Sequence, residues 1–490
     1  MKFLSAAALG TFCFAGLLQA TDLITPEKAV ADIKVRELEN VLWNLHKIGR
    51  DNGGNRAHGL PGFKASRDFV LERVVKRFGA RLDTYVQEFN HTFNQVRRID
   101  LRGPDGKSVD VHALQYVSST PLPSGITAPL LNTPVDDTRG SMCFADQWDS
   151  IDATGKIVLL KRGICAIADK LKLAKQHGAL AAVLYHNLPG VPTTATLSAS
   201  NFGLLVPVGL VARGVGEAWS TRLAAGEDLE VTLAIDAIFE QRPGWNIISE
   251  TKLGDPNSVV MLGAHLDSVQ AGPGVNDDGS GTAALLEIAT SFQKYTGFKN
   301  KIRFAWWGAE ELGLIGSLYY TEHLSDAEKD KIKFYFNYDM IGSPNPEFIV
   351  YADDDAHKYG AIPLYEYLEA SGAKPEYGKF GSSSDYVGFL KAGIPSSGIF
   401  TGAGAPYDDC YHQLCDNINN INWDAYEKNA KAAAHVAASF ALNIDGVPAR
   451  NTTSSNLRST LGVQNSFQDW AAGIETAETH ASCGGELTSV

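Results

Sequence analysis

Positively charged residues are scarce in this 490-residue sequence. Lysine and arginine together number 43 against 56 aspartates and glutamates, which leaves a formal net charge of −13 at pH 7. This charge disfavours nucleic acid or an anionic membrane surface as the main partner, because both are themselves negative. Charged residues make up only 20% of the chain and hydrophobic residues 44%, which excludes a disordered or fibrous protein. The length suits two or three domains.

Long apolar runs are also absent, except at the N-terminus. Residues 1–20 have the three parts of a secretory signal: Lys2, an apolar run over residues 3–18, and the small residue Ala20. An N-terminal membrane anchor is the alternative, but the run is short for a span and contains two glycines. We therefore expect cleavage after Ala20 and a secreted, extracellular protein, or a vacuolar one.

Cysteines are few, and only five remain once the signal is removed. An oxidising compartment allows two disulfides and one unpaired cysteine. Cys410 and Cys415 lie five positions apart, which suits a bridge closing a small loop, and Cys143 with Cys165 is the natural second pair. Buried free thiols are the alternative. Cys483, in a polar tail, is then the odd cysteine.

Two N-glycosylation motifs begin at Asn90 and Asn451. A secretory route makes such motifs usable when they lie on the surface. Each motif alone is weak evidence, because such triplets are common by chance. We expect both asparagines to be glycosylated.

The N-terminal part of the mature chain, residues 21–111, mixes helical and strand patterns. Apolar spacing predicts helices over 27–50 and 62–80. Short alternating stretches predict strands at 99–101 and 109–116. We expect this part to belong to the same domain as the region that begins at residue 239.

Residues 112–238 are richer in proline and glycine and have short β-like runs. Within them, predicted strands at 157–160 and 181–185 flank a predicted amphipathic helix over 167–176. This change in composition and hydrophobic pattern indicates a β-rich domain inserted into the surrounding domain.

Apolar strands alternate with helices over residues 239–444. Such alternation predicts an α/β fold with a mostly parallel, twisted sheet flanked by helices. The predicted elements are strands at 259–266, 302–307 and 334–341 and helices at 280–292 and 312–324. Residues 445–490 are rich in small polar residues and are expected to be a disordered tail.

Five candidate metal ligands lie just after predicted strands or in loops of this region. All would meet at one edge of the sheet, where α/β proteins bind their ligands. Imidazole and carboxylate donors without thiolate suit catalytic zinc. If one carboxylate bridges two metals, each metal has three protein ligands and room for a water. The five residues are His265, Asp277, Glu311, Asp339 and His412.

Two further acidic residues lie beside these candidates. Asp267 can hold the second ring nitrogen of His265 and fix the tautomer that binds metal. Glu310 and Glu311 can divide their work, with Glu311 as ligand and Glu310 taking a proton from water. A solvated turn with two adjacent acids is the alternative.

Five motifs in this region are long and specific: residues 263–268 (GAHLDS), 272–281 (GPGVNDDGSG), 306–313 (WWGAEELG), 337–345 (NYDMIGSPN) and 410–412 (CYH). They closely resemble the bizinc aminopeptidase family, which includes streptomycete, yeast vacuolar and fungal leucine aminopeptidases. The resemblance covers about 200 residues of peptidase domain. It implies the zinc exopeptidase fold.

The resemblance also implies two zinc ions and a role for each candidate ligand. His265, Asp277 and Asp339 would bind one zinc ion. Asp277 would bridge to the second, which Glu311 and His412 would also bind. Cobalt or manganese can occupy similar sites, so zinc is itself an inference.

Further roles follow from the same resemblance. Glu310 would be the general base and Asp267 the partner of His265. The peptide bond between Asp277 and Asp278 would be cis.

Three residues near the motifs resemble substrate-contacting positions of the family. Tyr411 would donate its hydroxyl to the tetrahedral oxyanion; packing beside a disulfide is a compatible alternative. Met340 and Phe400 match positions near the substrate pocket, although both residue types are common in plain cores.

The inserted region resembles the protease-associated domain found in many such peptidases. The matching stretches are residues 155–163 (GKIVLLKRG), 171–179 (LKLAKQHGA) and 181–185 (AAVLY). They contain no catalytic constellation. The insert is therefore expected either to control substrate access or only to stabilise the fold.

We therefore predict a secreted, monomeric zinc aminopeptidase. It would hydrolyse peptides with a free N-terminus, and the fungal resemblance suggests hydrophobic N-terminal residues such as leucine. A single-zinc glutaminyl cyclase is disfavoured by the five intact ligands, and a carboxypeptidase by the lack of an evident arginine to hold a carboxylate. A non-catalytic binding protein is disfavoured because no ligand or base is lost.

Overall fold

The structure is a computed structural model that describes residues 22–76, 81–189 and 195–452. The expected signal peptide, Cys483 and the tail beyond residue 452 lie outside the described residues, so what was predicted for them stays a prediction. Within the described ranges, no helix combines the length and apolar character needed to cross a membrane.

Three helices follow a short N-terminal strand, β1 (Asp22–Leu23): α1 (Pro26–Asp32), α2 (Val35–Asp51) and α3 (Pro61–Leu71). The helix predicted over 27–50 is wrong in being continuous, because the extended backbone of Ile33 separates α1 from α2. The helix predicted over 62–80 ends as an α-helix at Leu71 and continues as a π-helical turn over 72–76. The apolar spacing predicts the buried face of each helix but not these interruptions.

The remaining elements alternate along the chain. The strands are β2 (Leu82–Arg102), β3 (Ser108–Val109), β4 (Ile126–Asn132), β5 (Ile157–Lys161), β6 (Ala181–Tyr185), β7 (Val208–Val211), β8 (Glu230–Thr251), β9 (Asp255–His265), β10 (Tyr295–Thr296), β11 (Asn300–Trp307), β12 (Ile332–Tyr338), β13 (Phe348–Tyr351), β14 (Pro375–Gly378) and β15 (Ser396–Phe400). The helices are α4 (Ile167–Gln176), α5 (Arg213–Ala224), α6 (Gly279–Phe292), α7 (Ile315–Glu322), α8 (Asp326–Lys329), α9 (Asp355–Ala370), α10 (Tyr386–Lys391) and α11 (Trp423–Leu442).

The centre of the sheet is parallel, which confirms the predicted fold class. Strand β9 pairs in parallel with both β11 and β12, and β12 pairs in parallel with β15. The predicted strand over 334–341 ends earlier, at Tyr338, because Met340 has a φ of 51°. The predicted helix over 312–324 begins only at Ile315, because a 3-10 turn and the left-handed Leu314 precede it.

Two very long strands, β2 and β8, form an antiparallel ribbon that links the peptidase part to the insert. They pair from Leu82 with Thr251 to Arg102 with Thr232. Only residues 99–101 of this ribbon were predicted as strand. In β2 the buried residues are irregularly spaced, so its sequence lacks the apolar alternation that marks a half-buried strand. In β8 that alternation is present over the buried Val231, Leu233 and Ile235 but stops beyond them.

The insert has its own hydrophobic core, separate from the core that packs around α6 and α11. Its strands β4 to β7 form a parallel series, and the predicted strand, helix, strand unit is confirmed by β5, α4 and β6. The predicted strand over 109–116 is wrong: beyond Val109 it makes only isolated bridges at His112 and Gln115. The expected domain boundary at residue 238 falls inside β8 and stays a prediction.

Both predicted disulfides are confirmed. Cys143 pairs with Cys165 in the insert, and Cys410 pairs with Cys415 in the peptidase part.

Candidate metal centre

The sheet brings four of the predicted site residues to one edge. His265 is the last residue of β9, and Asp339 directly follows β12. Glu310 and Glu311 lie in the 3-10 turn that follows β11. Because these three strands are parallel neighbours, their carboxyl ends meet at the same edge.

Asp277 and His412 reach this edge from loops. Asp277 precedes α6, and its main-chain N–H donates to Asp416 Oδ2 at 3.1 Å. The N–H of Asn276 donates to Asp416 Oδ1 at 2.9 Å. His412 lies in the loop closed by the Cys410–Cys415 disulfide, and Asp416 directly follows that loop. One short segment therefore supplies one candidate ligand and holds the main chain of another.

The five candidate ligands form two groups that share Asp277. In the first group, His265 Nε2 lies 3.0 Å from Asp277 Oδ1 and 3.6 Å from Asp339 Oδ1. In the second, His412 Nε2 lies 2.9 Å from Asp277 Oδ2 and 3.0 Å from Glu311 Oε2. The two oxygens of Asp277 therefore face different histidines, which is the arrangement expected of a bridging carboxylate.

Several buried ligand atoms have no hydrogen-bond partner among the described residues. They are Asp277 Oδ2, Glu311 Oε1, Asp339 Oδ1 and both ring nitrogens of His412. Asp277 Oδ2 and His412 Nε2 lie 2.9 Å apart but are not aligned as a hydrogen bond. Buried polar atoms normally find a partner, because leaving one unpaired costs free energy. Metal coordination would satisfy the carboxylate oxygens and Nε2 of His412, the ring nitrogen that faces them. The donor set of imidazole nitrogen and carboxylate oxygen therefore fits zinc.

Buried negative charge exceeds buried positive charge at this edge. Burial raises the pKa of Glu310 well above its usual range and that of Asp267 to about 7. Burial opposes protonation of His412, yet the carboxylates of Glu311 and Asp277 outweigh it and raise the pKa of His412 to about 10. A divalent cation would offset the excess negative charge.

Asp278 holds the main chain, although one of its carboxylate oxygens also lies within 4.8 Å of ligand atoms of His265 and Asp339. Its Oδ1 accepts from the N–H groups of Gly281 and Met340, at 2.8 and 3.2 Å, and its Oδ2 accepts from the His265 N–H at 3.1 Å. The carboxylate thus ties α6 to the ends of β9 and β12. The peptide bond between Asp277 and Asp278 is cis, as the resemblance implied.

Asp267 differs in part from its predicted role. The atom of Asp267 nearest to His265 Nδ1 is the main-chain carbonyl oxygen, at 3.2 Å, whereas the carboxylate Oδ1 is 3.8 Å away. That Oδ1 accepts a hydrogen bond from the Glu310 N–H at 3.1 Å. The carboxylate therefore holds the main chain of the predicted base.

Arg56 is a buried residue of the site that sequence reasoning missed. Its guanidinium donates to the carbonyl oxygens of Leu266, Pro273 (2.7 Å) and Gly274 (2.5 Å). These carbonyls belong to the loop that runs from His265 toward Asp277. Arg56 is fully buried and lies near several of the buried acids. Its position in a glycine-rich segment was the only signal in the sequence.

The Asp339 side of the site carries the two predicted pocket residues. Ser384 Oγ donates to Asp339 Oδ2 at 2.6 Å. Met340 is buried, and Phe400, at the end of β15, is partly buried. Burial raises the pKa of Asp385, which directly follows Ser384 in the chain, to about 7.

The other side of the site opens into a cavity of 480 Å³. Its lining includes Glu311, His412 and the predicted oxyanion donor Tyr411. The Tyr411 and His412 rings stack with their centroids 3.7 Å apart. The structure therefore brings all the predicted ligands, Glu310 and Tyr411 into one site.

Comparisons with known proteins point in one direction. Residues 246–437 match the model of peptidase family M28, and residues 126–219 match the PA domain. The chain is 34% identical to aminopeptidase Y of Saccharomyces cerevisiae, over 88% of this chain and 82% of that protein. It is 36% identical to a probable leucine aminopeptidase 2 of Aspergillus fumigatus, over 82% of each. A solved zinc aminopeptidase from Bacillus subtilis is similar with a TM-score of 0.64 and 29% identity, over 83% of this chain and 95% of that one.

Proposed function

Because the chain belongs to peptidase family M28 and is an aminopeptidase with a PA domain, we propose that it works with two zinc ions. The observation that carries this proposal is the division of the Asp277 carboxylate, with Oδ1 toward His265 and Oδ2 toward His412. A single-metal site has no need for a carboxylate shared between two histidines.

Under this proposal, His265, Asp277 and Asp339 hold one ion, and Asp277, Glu311 and His412 hold the other. Each set has three protein ligands, which leaves room for water or substrate. When bound, the ions supply Lewis-acid chemistry, since they withdraw electron density from the peptide carbonyl and acidify water.

Glu310 is the proposed general base. Its Oε2 lies 4.0 Å from His265 Nε2, so the carboxylate borders the first group of ligands. Within the described part of the chain, no residue donates a hydrogen bond to that carboxylate, whereas the Glu310 main chain is held by Asp267. The side chain is thus free to take a proton from the attacking water and pass it to the leaving amine.

Tyr411 is the proposed donor to the oxyanion. Its ring stacks on His412 and lines the cavity beside Glu311, which places it next to the second group of ligands. A hydroxyl fixed there stabilises the negative charge that develops on the carbonyl oxygen during attack.

The proposed site demands a free α-amino group, which the carboxylates near the metals would hold. The N-terminal side chain would then lie toward Met340 and Phe400. Both residues are apolar, and one relative is named a probable leucine aminopeptidase, so we propose a preference for hydrophobic N-terminal residues such as leucine.

The test uses matched peptides with free or acetylated N-termini. Free amino acids are measured before chelation, after chelation and after zinc is added back, and bound zinc is counted by elemental analysis. We expect cleavage only of unblocked peptides, loss of activity on chelation, recovery with zinc, and about two ions per chain. Equal cleavage of acetylated peptides, or full activity without metal, would contradict the proposal.

We also propose that the protein is a secreted, glycosylated monomer. Asn90 and Asn451 are both exposed, and the described chain holds two disulfides, which persist in oxidising compartments. Mass spectrometry of the mature N-terminus and glycans, with light scattering for the mass, tests this.

A further inference from the structure

The cavity beyond Glu311 and His412 lies between the peptidase part and the insert. Residues 94–96 of β2 and residues 113–115 form the wall opposite these ligands. We propose that this cavity binds the part of the peptide that follows the scissile bond. In it, Gln95 and Gln115 favour longer peptides over dipeptides with a free carboxylate. This inference rests on the proposed function.

The position of the cavity sets the direction of the bound peptide. Met340 and Phe400, proposed to receive the N-terminal side chain, lie on the Asp339 side and do not line the cavity. Glu311 and His412 do line it. A peptide whose first residue lies toward Met340 therefore extends into the cavity with its second and third residues.

Two amide side chains in the cavity wall have no hydrogen-bond partner among the described residues. Gln95 and Gln115 are partly buried, and neither side-chain amide forms a hydrogen bond with another residue that the structure describes. By contrast, Gln270 Nε2 donates to the Asn94 carbonyl oxygen at 2.8 Å and Gln413 Nε2 to the Asp409 carbonyl oxygen at 2.9 Å. A free amide offers N–H donors and a carbonyl acceptor, which match a peptide main chain of any sequence.

The charges in the cavity disfavour a carboxylate. Among the described residues that line it, none is lysine or arginine, and the acids are Asp267 and Glu311. His58 also lines it, but burial lowers the pKa of His58 to about 3, so this ring is neutral. The carboxylate of a dipeptide would therefore find no lysine or arginine among the described residues that line the cavity. A third residue or a C-terminal amide removes that charge.

Asn94 connects the cavity wall to the loop between His265 and Asp277, called the metal loop below. Its Oδ1 accepts from the Tyr116 N–H at 2.7 Å, and its Nδ2 donates to the Ile238 carbonyl oxygen at 3.0 Å. The Asn94 carbonyl oxygen accepts from Gln270, in the loop between His265 and Asp277. The ribbon, the start of the insert and the metal loop are thus held together, which gives the cavity a preformed shape.

The experiment compares four substrates of the full-length, zinc-loaded protein: leucine p-nitroanilide, leucyl-glycine, leucyl-glycinamide and leucyl-glycyl-glycine. We expect kcat/KM for the amide and the tripeptide to exceed that for the dipeptide by roughly tenfold. Gln95→Ala and Gln115→Ala should each lower kcat/KM for the tripeptide by roughly 3- to 10-fold, mainly through KM. The loss on the anilide should be smaller, because the anilide has no peptide main chain after the scissile bond for these amides to contact. Gln241→Ala is the matched control, because Gln241 lies on the same ribbon but donates to Thr92 Oγ1.

A variant expected to gain activity provides a second test, which does not depend on a loss of activity. Gln115→Arg supplies a cation, and should raise kcat/KM for leucyl-glycine relative to leucyl-glycinamide. Equal kcat/KM for dipeptide and amide in the wild type, or equal losses on anilide and tripeptide in the alanine variants, would overturn the inference. Failure to hydrolyse even the anilide would instead contradict the proposed function.

Discussion

The Nε of Arg56 donates to the Pro273 carbonyl oxygen at 2.7 Å, across 217 positions of the chain. Through this contact a side chain from the N-terminal segment holds the loop that carries the proposed bridging ligand. The same guanidinium contacts the carbonyl of Leu266, next to His265. One buried cation therefore fixes both ends of the loop and offsets part of its negative charge.

Replacing this cation should weaken zinc binding as well as stability. Arg56→Met removes the guanidinium donors to three buried carbonyls, of which only that of Gly274 keeps a further donor, the Gly279 N–H, in the described chain. The loss should destabilise the fold by about 3 kcal/mol or more. Bound zinc, measured by elemental analysis at fixed free zinc, should also fall. Arg73→Met is the control: Arg73 is buried and pairs with Glu287 at 2.7 Å, so this variant should lose stability and keep its zinc. Equal zinc content in both folded variants would contradict the role given to Arg56.

Substitutions of Asp277 and Asp339 should differ in metal stoichiometry. Asp277→Asn changes a carboxylate that faces both histidines, so both ions should be lost or weakly bound. Asp339→Asn changes a residue of the first group only, so about one ion should remain. Titration with zinc followed by calorimetry separates these outcomes, and identical stoichiometries would argue against two ions.

Loss of the proposed base should separate chemistry from metal binding. Glu310→Gln keeps the size of the side chain but cannot accept a proton from water, so kcat should fall by roughly 10²- to 10⁴-fold. Bound zinc should stay near the wild-type value, because Glu310 is not a proposed ligand. A variant with wild-type kcat would exclude Glu310 as the base.

Loss of the Cys410–Cys415 disulfide should reduce zinc affinity more than loss of the disulfide in the insert. The Cys410–Cys415 bridge closes the loop with His412, and Asp416 follows it to hold the Asp277 main chain. Replacing both cysteines by serine should therefore lower zinc affinity by roughly tenfold or more. The matched control replaces Cys143 and Cys165, whose loss should reduce the melting temperature without changing zinc affinity.

A buried histidine should make the protein acid-sensitive. Burial, with the neighbouring charges of His91 and Arg242, lowers the pKa of His58 from 6.5 to about 3. Between these values the unfolded chain binds a proton that the folded chain does not, so stability falls as the pH drops. At pH 5 this linkage amounts to about 2 kcal/mol. Denaturant titrations of His58→Phe at pH 5 and pH 8 should show a smaller loss on acidification than the wild type, and an unchanged loss would rule the linkage out.

The site residues whose positions could be predicted from the sequence are those that lie in short, recognisable motifs. Strong apolar patterns mark the strands that end at or just before His265, Glu311 and Asp339. Both these strands and the sheet edge that carries the candidate ligands could therefore be predicted. The cis bond before Asp278 and the bridging role of Asp277 came from the resemblance, because no local pattern encodes them.

The parts that escaped prediction depend on contacts between distant segments. Arg56 acts through main-chain carbonyls, which any residue can offer, so its partners leave no trace in the sequence. The 3.8 Å separation between the Asp267 carboxylate and His265 Nδ1 depends on how the chain turns after β9. The ribbon of β2 and β8 is held by main-chain pairing, and apolar alternation marks only the short part around Val231, Leu233 and Ile235, so periodicity could not predict its length.

That ribbon also decides how the two parts of the molecule can move. Both chain connections to the insert are its strands, and they are hydrogen-bonded to each other along nearly their whole length. The insert can therefore tilt over the edge that carries the candidate ligands only if the paired strands β2 and β8 bend or twist. Such deformation opposes large displacements of the insert and favours its return to the starting position.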